Sequence, residues 1–237
     1  TTEIYTLSLH DALPIWSVAR DEVGSHDTAL SGGTSWVAGI HAGAIAFDGT
    51  SAYGNAGGDI DLSSRSFSVS FWARRSSSGR DDYFVCQGLQ STNLGLHIGF
   101  RNNDVFTFAF WSNDLNTSAP YTDTDWHHWV CTYEAGTRTR TIYRDGAPVA
   151  DDTASADYQG SGDLLIGKRI GTGTFAWGAL DDLIISLKCL NPEEIAGLMN
   201  LSIHDGAGDL CDNCPAIFTP GQEDTDGNAV GDTCHEP

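Results

Sequence analysis

DWHHWVCTY (125–133), followed closely by TRTIYRDGAPV (139–149), decides how this chain folds. From Trp126 the positions split into Trp126, His128, Val130 and Thr132 on one face and His127, Trp129, Cys131 and Tyr133 on the other. That is the two-residue period of a strand, with large side chains on both sides, as inside a sandwich. Asp145-Gly146 then offers the two left-handed positions of a tight hairpin between β-rich flanks.

Working outward, SFSVSFWAR (66–74) alternates with Phe67, Val69, Phe71 and Ala73 inward and Trp72 on the outer set. Ile45 and Phe47 of GAIAFDG (43–49) point to the core. Tyr83 to Cys86 reads as a short strand; Leu94, Leu96, Ile98 and Phe100 make another row, and Phe106, Phe108 and Phe110 a third. After the hairpin come Leu164-Leu165-Ile166 and GALDDLIISL (178–187), where simple alternation puts Asp181 on the face of Leu183, Ile185 and Leu187. Ser, Asn, Asp and Gly clusters end each run. Trp16 to Gly33 is polar and turn-rich. The expectation is all-β: an antiparallel jelly-roll sandwich of roughly ten to thirteen strands. One short helix closes it, starting at Asn191 as N-cap with Pro192 in the first turn.

A net charge of −20 on 237 residues, with only 12 Lys and Arg, argues against nucleic acid or an anionic membrane as partner. No apolar run is long enough to span a membrane. Cations are the natural counterpart. Six Cys in an acidic, Gly-rich chain point to an oxidising, extracellular compartment. Cys86 and Cys131 lie in apolar strand contexts and are either packed thiols or a mutual disulfide, while Cys189 is placed to reach Cys211.

As a set, the Trp-His-His strand, the Tyr-x-Asp-Gly hairpin and GALDDLIISL leading into NPEEI resemble the laminin-G-like, concanavalin A-type jelly roll over residues 16–200. The resemblance implies that the acidic pair Asp181-Asp182 helps hold a structural calcium beside the sheet; the alternative is an edge charge and a turn cap. TTEIYTLSLHDALPI (1–15) lacks the basic start and apolar centre of a secretory signal and resembles a translated sequencing-adapter segment. It is given no fold role, the alternative being an ordinary leading strand. The chain is expected to be a piece of a larger multidomain protein.

From Leu201 onward there are many acids and no Lys or Arg. DGAGDLC (205–211) recurs in extended form as DTDGNAVGDTC (224–234), separated by CDNCP (211–215) and a Pro-Gly turn. Residues 201–237 resemble a thrombospondin type 3 repeat, which implies calcium held by Asp-rich loops and disulfides between half-repeats. Independently, Asp224, Asp226 and Asn228 at alternate positions, then Asp232, offer the oxygen ligands a hard cation needs. Asp205, Asp209 and Asp212 are the partial counterpart. Ala229 departs from the glycine usual at the sharp turn of such loops. The alternative is a disordered acidic linker.

No pair of carboxylates with glycosidase spacing, phosphate loop or nucleophile motif occurs, and the adjacent His127 and His128 face opposite ways and cannot chelate together. Trp111, Trp177, Tyr121 and Tyr158 sit near loops as candidate sugar-stacking aromatics. The expectation is a non-enzymatic, extracellular, calcium-dependent recognition module that binds glycan or a protein surface. Against it stand a polysaccharide hydrolase or lyase with an atypical site and a passive spacer.

Overall fold

A computed structural model of the chain describes residues 4–7, 17–21, 25–40 and 43–199. Within them sixteen strands form two antiparallel sheets. The first runs β14 (Ala147–Thr153), β13 (Thr139–Arg144), β12 (His127–Glu134), β7 (Phe67–Arg75), β16 (Trp177–Ser186), β5 (Gly43–Asp48) and β4 (Ser35–Ala38), with β1 (Ile4–Leu7) also on β16. The second runs β11 (Asp114–Pro120), β10 (Val105–Ala109), β9 (Gly95–Phe100), β8 (Asp82–Gly88), β15 (Leu164–Ile166), β6 (Tyr53–Asn55), β3 (Thr28–Ser31) and β2 (Val18–Ala19). The all-β sandwich expected from the alternation is therefore present.

β12 and β7 are central because both faces of each are covered. Inward, Trp129, Cys131 and Tyr133 meet Phe67, Val69 and Phe71 in register. The second sheet answers with Phe84, Leu96, Ile98, Phe100, Phe106 and Phe108. Phe106 lies flat on Trp129, centroids 3.9 Å apart and planes 4° from parallel. Outward, His128 bonds Ser70 at 2.8 Å and its ring lies 5.2 Å from that of Trp72. Asp145 and Gly146 take φ of 51° and 78°, as the Asp-Gly hairpin requires.

α1 (Pro192–Met199) begins with a reciprocal cap. Asn191 Oδ1 accepts from the N–H groups of Glu193 and Glu194, each at 3.0 Å, and Glu194 Oε2 accepts from the Asn191 N–H at 2.9 Å. Lys188 also pairs with Glu194, and Ile195 is the helix's buried residue.

Four differences from the sequence expectation stand out. Asp181 does not share a face with Leu183 and Ile185. It pairs with Trp72 on the outer face, while Leu180, Leu183 and Ile185 enter the core. A bulge between Asp181 and Ile184, with Asp182 at φ 45°, inserts one residue and so resets the two-residue alternation. Ile4–Leu7, given no role above, forms a strand against Leu183–Ser186, because β5 pairs with only the first half of that edge of β16. The polar stretch before Gly33 contributes the short strands β2 and β3, the second turning Thr28 and Leu30 inward. Tyr158 is fully buried, with its hydroxyl 3.2 Å from the Gln87 carbonyl, and is no surface aromatic. Among the described residues Cys86, Cys131 and Cys189 are free thiols, and burial pushes the Cys86 thiol up to about 12. Residues 201–237, and with them Cys211 and every expected calcium ligand of the tail, lie outside the described residues.

The turn after β5 hangs on one carboxylate. Asp48 accepts from the N–H groups of Thr50, Ser51 and Ala52 at 2.8–2.9 Å and from both hydroxyls. Burial works against its charge, but these donors together hold its carboxyl well below the usual 3.8. With the folded-state value depressed, the contribution to stability is complete above the unfolded-state value and is lost as pH falls below it. Asp48→Asn is therefore expected to lose stability near neutral pH and to show a shallower decline than the parent on acidification from about pH 5 to 3. Urea midpoints across that range read this, and parallel acid limbs would refute it.

Candidate functional site

The outer face of the second sheet carries the most distinctive group of side chains. Because Phe84, Leu96, Ile98, Phe106 and Phe108 point inward, alternation turns Tyr83, His97 and Thr107 outward. The β10–β11 connection then swings Trp111 over them. Trp111 and Ser112 are its two central residues, at φ 59° and 55°, closed by the Phe110 N–H on the Asn113 carbonyl at 2.9 Å. A bulky side chain in the left-handed region costs of order 1 kcal/mol or more, and such residues concentrate at ligand sites.

The segment after β15 completes the face. Lys168 and Phe175 bridge to make a small hairpin, and Ile170 packs on Tyr83 and Cys86. A Cβ on Gly95 would come within 2.4 Å of the Leu89 carbonyl oxygen and 3.0 Å of Ile170, so glycine lets this segment lie close on the sheet. Arg169 spreads its guanidinium over two rings at once, 5.2 Å from the centroids of Tyr83 and Trp111. His97 meets Tyr83 and Trp111 edge to face, at 5.4 and 5.5 Å.

His97 is neutral here. At 3% exposure, burial brings its pKa down to about 4, with Arg101 and Arg169 adding to the effect against Asp114 and the Gly95 carbonyl. Its Nδ1 lies 3.2 Å from the Gly95 carbonyl and donates to it in the neutral ring, which leaves Nε2 as an acceptor. Arg101 is neutralised by Asp114 at 2.8 Å. Arg169 is not: among the described residues no hydrogen-bond acceptor meets its buried Nε, and no carboxylate pairs with it. Chemically the face offers flat apolar rings and one uncommitted cation over a buried, neutral His97.

The residues singled out from sequence fall elsewhere. Asp181 is 2% exposed on the other sheet, its Oδ2 accepting from the Ile40 N–H at 2.7 Å and its Oδ1 from the Asp182 N–H at 3.0 Å. Among the described residues no three His, Cys, Asp or Glu side chains converge to hold a metal. His127 lies between two acids, Nδ1 2.7 Å from Asp145 and Nε2 2.7 Å from Asp123, and Arg144 reaches Asp123 at 3.0 Å. Burial opposes the Asp123 charge, yet Arg144 and His127 hold its carboxyl below the usual range. Asp145 also takes the His128 N–H, so this network ties the β12–β13 hairpin to the loop before it. Tyr121 lies under Arg144 at 4.5 Å and edge-on to Trp129, and Trp177 stands 41% exposed beside Arg80.

Of the expected aromatics only Trp111 joins the face. Tyr83, His97 and Arg169 were not singled out, although the alternation that turns Leu96 and Ile98 inward already turns His97 outward. Arg169 had only one signal, its place in a Lys-Arg pair in a chain poor in bases.

A laminin G-type family model, described as Concanavalin A-like lectin/glucanases superfamily, matches residues 48–196, more than half of the chain. No curated protein matches. Several solved structures share the fold. One is domain 4 of AbnA, a GH43 extracellular arabinanase from Geobacillus stearothermophilus, in complex with arabinotriose: TM-score 0.63, 16% identity, covering 76% of this chain and 92% of that one. A second is the binding domain of Paraclostridial Mosquitocidal Protein 1, with TM-score 0.61 and 18% identity, covering 79% of this chain and 50% of that one. A third is Trypanosoma rangeli sialidase bound to 2,3-difluorosialic acid, with TM-score 0.63 and 17% identity, covering 82% of this chain and 32% of that one.

The expectation of a non-enzymatic chain is corrected by these likenesses. An arabinanase and a sialidase both contain this fold, so a missing carboxylate pair in the sequence does not separate the chain from glycosidases, which can carry their reacting groups elsewhere.

Proposed function

This chain belongs to the Concanavalin A-like lectin/glucanases superfamily, and we propose that it is a recognition module that binds saccharide on the outer face of the second sheet. The observation that carries this is Trp111, held at positive φ so that its ring joins Tyr83, His97 and Arg169. Sugar rings stack on flat side chains while nearby polar groups fix their hydroxyls. The arabinotriose complex of a chain with this fold supports the assignment as an analogy. We assign the module to an extracellular, multidomain protein, in which Asp205, Asp209, Asp212, Asp224, Asp226, Asn228 and Asp232 stiffen a calcium-binding stalk.

The test is a polysaccharide and glycan array probed with the full chain in millimolar calcium and again after chelation. Binding is expected in both buffers, since among the described residues no three His, Cys, Asp or Glu side chains converge on the face, and Trp111→Ala is expected to weaken it at least about tenfold, ~1.4 kcal/mol. Binding that disappears on chelation would move the ligand to the acidic tail. Binding indifferent to Trp111→Ala would move it off this face.

A further inference from the structure

Arg169 is difficult to explain as a packing residue. The chain has 12 Lys and Arg against 32 Asp and Glu. Among the described residues Arg74 and Arg138 also lack a carboxylate, but Arg138 bonds the Ser155 carbonyl and Arg74 lies over Trp126 alone, whereas Arg169 lies over two rings with its buried Nε unmet. Arg75, Arg80, Arg101, Arg140 and Arg144 each hold a carboxylate within 3.0 Å. Lys168, next to Arg169 on the same hairpin, likewise lies over rings, 4.2 Å from the Tyr53 centroid, and has no acidic partner among the described residues.

Arg169 lies over two rings, 5.2 Å from each centroid. The N–H groups of a guanidinium lie in its plane, the geometry that suits a planar, two-oxygen acceptor. Long-range repulsion from a −20 chain does not forbid an anion here. Charges farther than the Debye length, about 8 Å in physiological salt, are largely screened, and the local charges decide. Those are an arginine without a carboxylate partner, a neutral His97, an Arg101–Asp114 pair that sums to zero, and Asp81, whose negative charge reaches Tyr83.

Resting on the saccharide reading of this face, we infer that its ligand is an acidic saccharide, whose uronic-acid carboxylate pairs with Arg169 while the sugar ring packs against Trp111. Tyr83 and His97, 2% and 3% exposed, form the buried floor that holds the Trp111 and Arg169 side chains in place.

The full chain is titrated calorimetrically with two uronate polymers, polygalacturonate and alginate, and with the carboxyl-reduced neutral form of each. At least one uronate polymer is expected to bind roughly tenfold more tightly than its reduced form at low salt, the range for a charge-assisted hydrogen bond. In Arg169→Gln that ratio is expected to collapse to about one, with affinity for the reduced polymer kept. Arg169→Lys should restore part of it, because charge survives without the fork. Equal binding of acidic and reduced polymers, or a preference that survives Arg169→Gln, overturns the inference and leaves the saccharide reading standing. Absence of binding to all four polymers overturns the inference, and the array result then decides the saccharide reading separately.

Discussion

Asp82→Ala is expected to destabilise the sandwich by about 3 kcal/mol, the lower end of the range for breaking a buried ion pair. Asp82 is fully buried where β8 meets β7 and β16. Its Oδ2 takes the Arg75 Nε at 3.0 Å and its Oδ1 the Trp177 N–H at 2.9 Å, while the Arg80 Nε lies 2.9 Å from Oδ1 as an ion pair without hydrogen-bond geometry. Burial pushes its carboxyl pKa upward, against the Trp177 and Arg75 donors and the Arg75 and Arg80 charges, so the charge is kept only while they stay in place. Removing it strands a buried arginine, since Arg75 is inaccessible as well. Asp104, 2.8 Å from Arg75, relieves part of that loss, which is why the lower end applies. The comparison is Asp61→Ala, whose exposed pair with Arg65 is worth ~0–1 kcal/mol and which also gives up the Ser63 N–H and hydroxyl bonds of an exposed turn. Urea unfolding at constant slope measures both, and an Asp82→Ala loss no larger than that of Asp61→Ala would sink the claim.

Trp129→Ala is expected to cost about 3–5 kcal/mol, the range for truncating a buried aromatic. Trp129 lies flat on Phe106 and meets Phe100 and Tyr121 edge-on at 5.5 and 5.2 Å, so truncation opens a cavity between the sheets. For a domain of this size the loss lowers Tm by ~6–20 °C. Trp129→Phe keeps much of the stack and should lose distinctly less. A shift below about 2 °C for the alanine variant would mean that the two sheets close over the gap, and that this stack is not their main contact.

The Asp-Gly hairpin, the Asn191 cap and the inward rows of Phe, Leu and Ile were legible because each depends on residues within one turn or one strand. The same alternation carried the helix-poor, two-sheet architecture. It failed at Asp181-Asp182, where a bulge reverses the facing of everything after it. Asp182 tolerates the left-handed conformation, but neither residue marks the bulge locally. Tyr158 was misplaced for a related reason. A tyrosine in a loop looks exposed until the loop is seen folding back to bond Gln87.

By itself the sequence determined that this chain is an acidic all-β sandwich with His127 and His128 on opposite faces. Hydrophobic period, turn chemistry and net charge are properties of neighbours along the chain. Only the tertiary structure decided which polar and aromatic residues form a site. Tyr83, His97, Trp111 and Arg169 come from four segments, and the order β10, β9, β8, β15 brings them onto one face. That strand order is set by which rows of apolar side chains bury each other, and nothing in any one of the four segments records it.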